Sequence, residues 1–128
     1  MGNKSNNIRI IWHPKLNKDI DDLISKSGLE TLFEEKKIRN LNFLFRRGKV
    51  AIQQFNSLEK LKSCDLCSMK IKIKKNIRLL FKMHIEKEKT IFIFLHAFEE
   101  KSSKDYDKAI KIAGRRLQTK KGWENVRL

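Results

Sequence analysis

Proline is nearly missing from this 128-residue chain, with Pro14 alone, and glycine supplies only five residues. So few of either exclude a proline-rich spacer, and the five glycines form no Gly-rich phosphate loop. No stretch approaches the roughly 20 consecutive apolar residues of a membrane span. The opening Met1-Gly2-Asn3-Lys4-Ser5 carries no apolar signal core, and Ser5 falls one place short of a myristoylation motif. A cytoplasmic location is the expectation. Cysteine is scarce too: Cys64 and Cys67 form a lone C-x-x-C, and His13, His84 and His96 are scattered. Two thiols do not complete a structural zinc site, so neither metal nor cofactor is expected, and both cysteines read as ordinary half-buried residues.

Positive charge is abundant. Thirty Lys and Arg stand against fifteen Asp and Glu, a formal charge of +15. Such a chain attracts polyanions through counterion release, so nucleic acid, an acidic protein or an anionic membrane surface each fit. The charge is dispersed among 40% hydrophobic residues that include eight Phe, enough for one modest core. A membrane-surface role fits least, because the cations fall on strands rather than along one helix face.

Periodicity organises the chain. Ile8 to Trp12 is a short β-like run, stopped at His13-Pro14. Asn17 to Ser27 predicts a first helix. Ser27 with Glu30 resembles a capping box for a second, which ends at Gly48. Val50 to Leu61 reads as an irregular turn followed by a short helix. Apolar alternation over Cys67–Ile73 and Ile77–Ile85 predicts two half-buried strands, and Ile91–Phe98, apolar on both sides, a central one. Asp105 to Gln118 predicts a last helix. The expected organisation is one α+β domain over 1–118, β-α-α-β-β-β-α, a curved antiparallel sheet with helices mainly on one face. Residues 119–128 read as a basic tail.

Register gives a sharper expectation. Keeping Ile73 and Ile77 on one face requires an odd loop, which places Lys72 opposite Arg78 and Lys70 opposite Leu80. Across the next turn, Leu80 falls opposite His96 and Arg78 opposite Phe98. Lys70, Lys72, Arg78 and His96 then share one face with Phe92, Phe94 and Phe98. Like charges across strands cost stability, so the cluster invites a functional account, and exposed rings there suit stacking on RNA bases.

The residues Leu66-Cys67-Ser68-Met69-Lys70-Ile71-Lys72, Asn76-Ile77-Arg78-Leu79-Leu80-Phe81 and Ile93-Phe94-Leu95-His96-Ala97-Phe98, with Lys101-Ser102 after them, resemble the paired and final strands of RelE/HigB superfamily toxins, the phage-derived HigB-like branch in particular. The likeness covers roughly residues 58–117. Ser68 stands where Glu is common, Lys70 where Arg is common, Tyr106 near a frequent proline, and Glu99-Glu100 partly replaces a basic stretch.

What the resemblance implies is the toxin of a type II toxin–antitoxin module: a ribosome-dependent mRNA endoribonuclease, held inactive by a cognate antitoxin that is acidic or DNA-binding. Its partners are then mRNA, the ribosome and the antitoxin. Such enzymes drive a ribose 2′-hydroxyl onto the neighbouring phosphate without a metal. The chemistry wants a proton shuttle near neutral pH and fixed cations on the transition state. Arg78 is therefore assigned to phosphate stabilisation, His96 to acid–base work or substrate placement, and Lys70 and Lys101 to phosphate contact or proton transfer. Lys72, Lys104, Arg115 and Arg116 would hold the RNA backbone, with Phe94 stacking. Two alternatives stay open: a ParE-like gyrase-poisoning toxin, which needs neither Arg78 nor His96 for chemistry, and a non-catalytic RNA- or ribosome-binding module.

Overall fold

A computed structural model describes residues 7–119 and 123–126. In chain order the elements are β1 (Ile8–Trp12), α1 (Leu16–Ile24), α2 (Glu30–Arg47), α3 (Val50–Gln54), β2 (Leu58–Lys60), β3 (Cys67–Lys72), β4 (Asn76–Glu86), β5 (Lys89–Glu99), α4 (Lys104–Leu117) and β6 (Glu124–Asn125). The architecture is α+β, with a six-stranded sheet in the order β2-β3-β4-β5-β1-β6. The expected antiparallel sheet is corrected to a mixed one: β1 runs parallel to β5, with Ile8 beside Thr90 and Trp12 beside Phe94. β6 pairs antiparallel with β1, so Glu124 and Asn125 of the segment read as a tail complete the sheet. The rest of that segment's basic character, Lys120, Lys121 and Arg127, lies outside the described residues.

Local chemistry explains the departures. Ser27 does not cap a helix: its Oγ donates to the Ile24 carbonyl and accepts the Leu29 N–H, forming a tight turn, and α2 begins at Glu30. Gly48 closes α2 at φ 58, where its N–H reaches the Leu44 carbonyl. A Cβ there would also crowd Ile8 Cδ1 at 3.3 Å, so both backbone and packing select glycine. Over 50–61, where an irregular turn and then a short helix were expected, helix α3 comes first and a strand, β2, follows it.

Both faces of the sheet are covered. Ile20 and Ile24 of α1, Phe33, Leu41 and Leu44 of α2 and Ala51 of α3 bury one face against Met69, Ile71, Leu79, Phe81, Phe92 and Phe94. α4 lies on the other face, where Ala109 and Ala113 let it approach Leu66, Leu80, Leu95 and Phe98 closely. The expectation of helices mainly on one face is corrected here: the last helix covers the other.

One bulge decides which residues face which side. From Ile77 to Leu80 the register runs Arg78↔Phe98 and Leu80↔His96, as expected, but Phe81 then pairs with Phe94, leaving Leu95 as the extra residue. A one-residue slip exchanges the two faces of a strand. Phe92 and Phe94 therefore turn into the main core, both fully buried, and Leu95 turns toward α4. Phe94 stacks on Phe81 at 4.6 Å and on Trp12 at 5.3 Å. Phe94 as an exposed base-stacking ring is thus corrected: it is a core residue.

Candidate functional site

β3 and β4 meet through a three-residue loop, 73–75, which preserves the expected faces but shifts the register by two. Lys70 stands directly opposite Arg78, and Lys72 opposite Asn76, so the expected Lys72–Arg78 pairing is corrected. Adjacent cations would repel, and each is instead held by a carboxylate. Glu100 accepts from Arg78 Nε at 2.8 Å, and Glu59 sits 3.3 Å from Lys70 Nζ. Glu100 is placed by the extension of β5, its own N–H donating to the Asn76 carbonyl. Glu59 comes from β2, the edge strand paired beside β3.

These residues line an open cleft of about 490 Å³ between the sheet and α4, floored by Ile110 and Tyr106. Tyr106 packs edge-on against Phe98 at 5.0 Å, and its hydroxyl lies 3.3 Å from the Ser68 Oγ. Ser68 is fully buried, so a glutamate at this position would place a carboxylate beneath α4 with little water to solvate it. The cleft is lined by three cations (Lys62, Lys70 and Arg78), two carboxylates and a phenol. That set can grip a phosphodiester and exchange protons with it.

His96 is not in this cleft. Its Nδ1 lies 2.9 Å from Asp19 on α1, and its ring stacks beside Phe98 at 6.2 Å between centroids. Arg116 reaches the same carboxylate with both terminal nitrogens and also donates to the Leu95 carbonyl. The Ala97 N–H completes the set on Asp19. The cluster lies beside the bulge and past the end of β1, where Arg116 and Asp19 engage the Leu95 carbonyl and the Ala97 N–H. Burial alone would raise the Asp19 pKa, but the hydrogen bonds from His96 and Arg116 outweigh it and hold the carboxyl down at about 2. Arg116 is accordingly a structural clasp between α4 and α1, not a free hand for an RNA backbone.

The remaining candidates are spread out. Lys72, Lys101, Lys104 and Arg115 are exposed. Lys101 and Ser102 give their backbone N–H groups to the carboxylate of Asp105, which ties the turn before α4 to the helix's first turn. Arg115 borders a separate cleft with His13 and Lys15. His13 is buried, and burial together with the Arg116 and Lys15 charges lowers its pKa. Among the described residues no cluster of His, Cys, Asp and Glu could hold a metal ion, and no helix is long and apolar enough to cross a membrane.

Sequence reasoning missed Glu59 and Asp19 as partners of the basic residues, and Tyr106 as a wall of the cleft. Glu100 left a trace, as an acid in a stretch where the resemblance led one to look for bases. Asp19 left none, because it meets His96 only through the packing of α1 on β5. Comparison with protein-family models, with curated proteins and with solved structures finds no match to this chain.

Proposed function

We propose that this protein is a RelE/HigB-like toxin that cleaves ribosome-bound mRNA in the cleft between β3, β4 and α4, and that an antitoxin restrains it in the cytoplasm. The observation that carries the reading is the direct pairing of Lys70 with Arg78, flanked by Glu59, Glu100 and Tyr106. In this reading the scissile phosphate takes the place of the carboxylates on Arg78 and Lys70. Glu100, at hand beside Arg78, removes the ribose 2′-hydroxyl proton as that oxygen attacks phosphorus. The P–O5′ bond breaks, leaving a 2′,3′-cyclic phosphate, and Lys70 protonates the departing 5′-oxygen. Arg78 stabilises the charge that builds on the phosphorane oxygens. His96 has a positioning part, stacked beside Phe98, the cross-strand partner of Arg78.

Mapping of mRNA 5′ ends on programmed ribosomes tests this. The wild type should cut, and Arg78→Ala should reduce cutting by about 100-fold. Undiminished cutting by Arg78→Ala would dismiss the site. DNA damage with translation intact would favour the gyrase-poisoning alternative. A second reading, a non-catalytic RNA- or ribosome-binding module, draws support from the ion pairs that already occupy Lys70 and Arg78. It predicts no cutting, with RNA binding that falls steeply with salt.

A further inference from the structure

The charged residues of this protein divide unevenly. Lys18, Lys37, Lys70, Arg78, Lys82 and Arg116 each lie within 4.0 Å of a carboxylate. At the opposite end of the sheet from α4's N-terminus, a cleft of about 650 Å³ opens between the α2–α3 corner, the start of β1 and the β4–β5 turn. Arg46, Arg47, Lys49 and Lys87 line it, and none of the four pairs with a carboxylate among the described residues. The one side-chain partner any of them has is neutral: Arg47 donates to Gln54. Glu88 is the single acidic residue in the lining.

The floor is aliphatic. Val50 and Ile85, 42% and 48% exposed, are two of the four large hydrophobic residues the described surface leaves open, and Ile8 lies beside them. An apolar strip inside a cationic rim marks a docking surface rather than a solvated face. Its chemistry also chooses the partner. Single-stranded RNA is held chiefly by bases stacking on aromatic rings, and this lining contains none; Arg46 and Arg47 supply charge at the rim, while the floor of Ile8, Val50 and Ile85 is aliphatic. Aliphatic anchors in a positive frame match an amphipathic protein segment with Leu-type residues on one face and Asp or Glu on the other.

We propose that the cleft at the α2–α3 corner is a docking site for an acidic, amphipathic segment of a partner protein, independent of the chemistry at Lys70 and Arg78. Apolar side chains of the segment cover Ile8, Val50 and Ile85, and its carboxylates meet Arg46, Arg47, Lys49 and Lys87.

Fluorescence anisotropy with the full-length protein tests it. One probe is a dye-labelled peptide of about 16 residues, Leu on one helical face and Glu elsewhere; a second has every Leu replaced by Ser at the same charge. A third is an oligouridine of about 12 nucleotides. The Leu peptide should bind about tenfold or more tighter than the Ser peptide. Arg46→Glu with Lys49→Glu, and separately Val50→Ser with Ile85→Ser, should each weaken it about tenfold, with circular dichroism unchanged. In the wild type, amide resonances of residues 46–50 and 85–88 should shift on addition of the Leu peptide. Equal binding of the two peptides, or resonance shifts elsewhere, would overturn the proposal. Loss of oligouridine binding with the Leu peptide unaffected would reassign the cleft to RNA.

Discussion

Arg116 and Asp19 stand 97 positions apart in the chain, yet both guanidinium terminal nitrogens of the one meet both carboxylate oxygens of the other. The pair ties the last helix to the first around the edge of β5, and His96 closes the cluster from the strand between them. A paired, half-hidden charge of this kind is costly to break from one side, because the remaining partner keeps its desolvation penalty. Arg116→Met should therefore lower the unfolding free energy by about 3 kcal/mol, read from urea midpoints at neutral pH. A double-mutant cycle with His96→Ala should be strongly non-additive, since both side chains act on the same carboxylate.

Acid should weaken the fold in two windows. His13 has a folded pKa below its ordinary 6.5, so the fold favours the neutral ring, and that stability is lost as pH falls below about 6.5. Asp19 has its folded pKa depressed to about 2 against an ordinary 3.8. Its contribution is complete above about pH 5 and disappears as pH falls toward 2, an amount of about 2 kcal/mol. Chemical denaturation across this range should show both steps, and Asp19→Asn should abolish the lower one while leaving the upper.

Phe94→Ala should cost about 3–5 kcal/mol, the usual penalty for emptying a core position of a ring. Thermal unfolding followed by circular dichroism measures it. An exposed stacking residue would show almost no change, so the result also checks the bulge that turns this ring inward.

Thiol chemistry offers a separate check. Burial pushes the Cys67 thiol up to about 11, which leaves almost no thiolate at pH 8. Ellman's reagent should modify Cys64 first and Cys67 only after denaturant is added. Rapid native modification of both would contradict the packing of Cys67 between β2 and β4.

Much of the secondary structure could be read from apolar spacing, because period 2 and period 3.6 separate cleanly in β3, β4 and α4. The parity of the loop after Ile73 was likewise legible, since Ile71, Ile73 and Ile77 have to share a face. The two-residue register shift was not, because both registers satisfy that parity. Nor was the bulge: Ile91 to Phe98 is apolar at nearly every position, so its pattern carries no information about which side faces where. Burial of the second face by α4 depended on Ala109 and Ala113, whose small size marks a close approach only once the partner is known. At the candidate site, Lys70 and Arg78 were found by alternation along their strands. Glu59 and Asp19 arrive from an edge strand and from a helix packed on β5, and no local pattern links them to the cations they hold.

The parallel pairing of β1 with β5 sets an order of assembly. Ile8 finds its neighbour only at Thr90, so β1 cannot pair until β5, far along the sequence, is in place. The β3-β4-β5 meander, joined by short turns, can close first, and β1 and β6 then add at the same margin, β1 onto β5 and β6 onto β1. Folding should show a fast phase from the meander and a slower one from this late zipping of β1 and β6, with mutations in β1 acting on the slow phase alone.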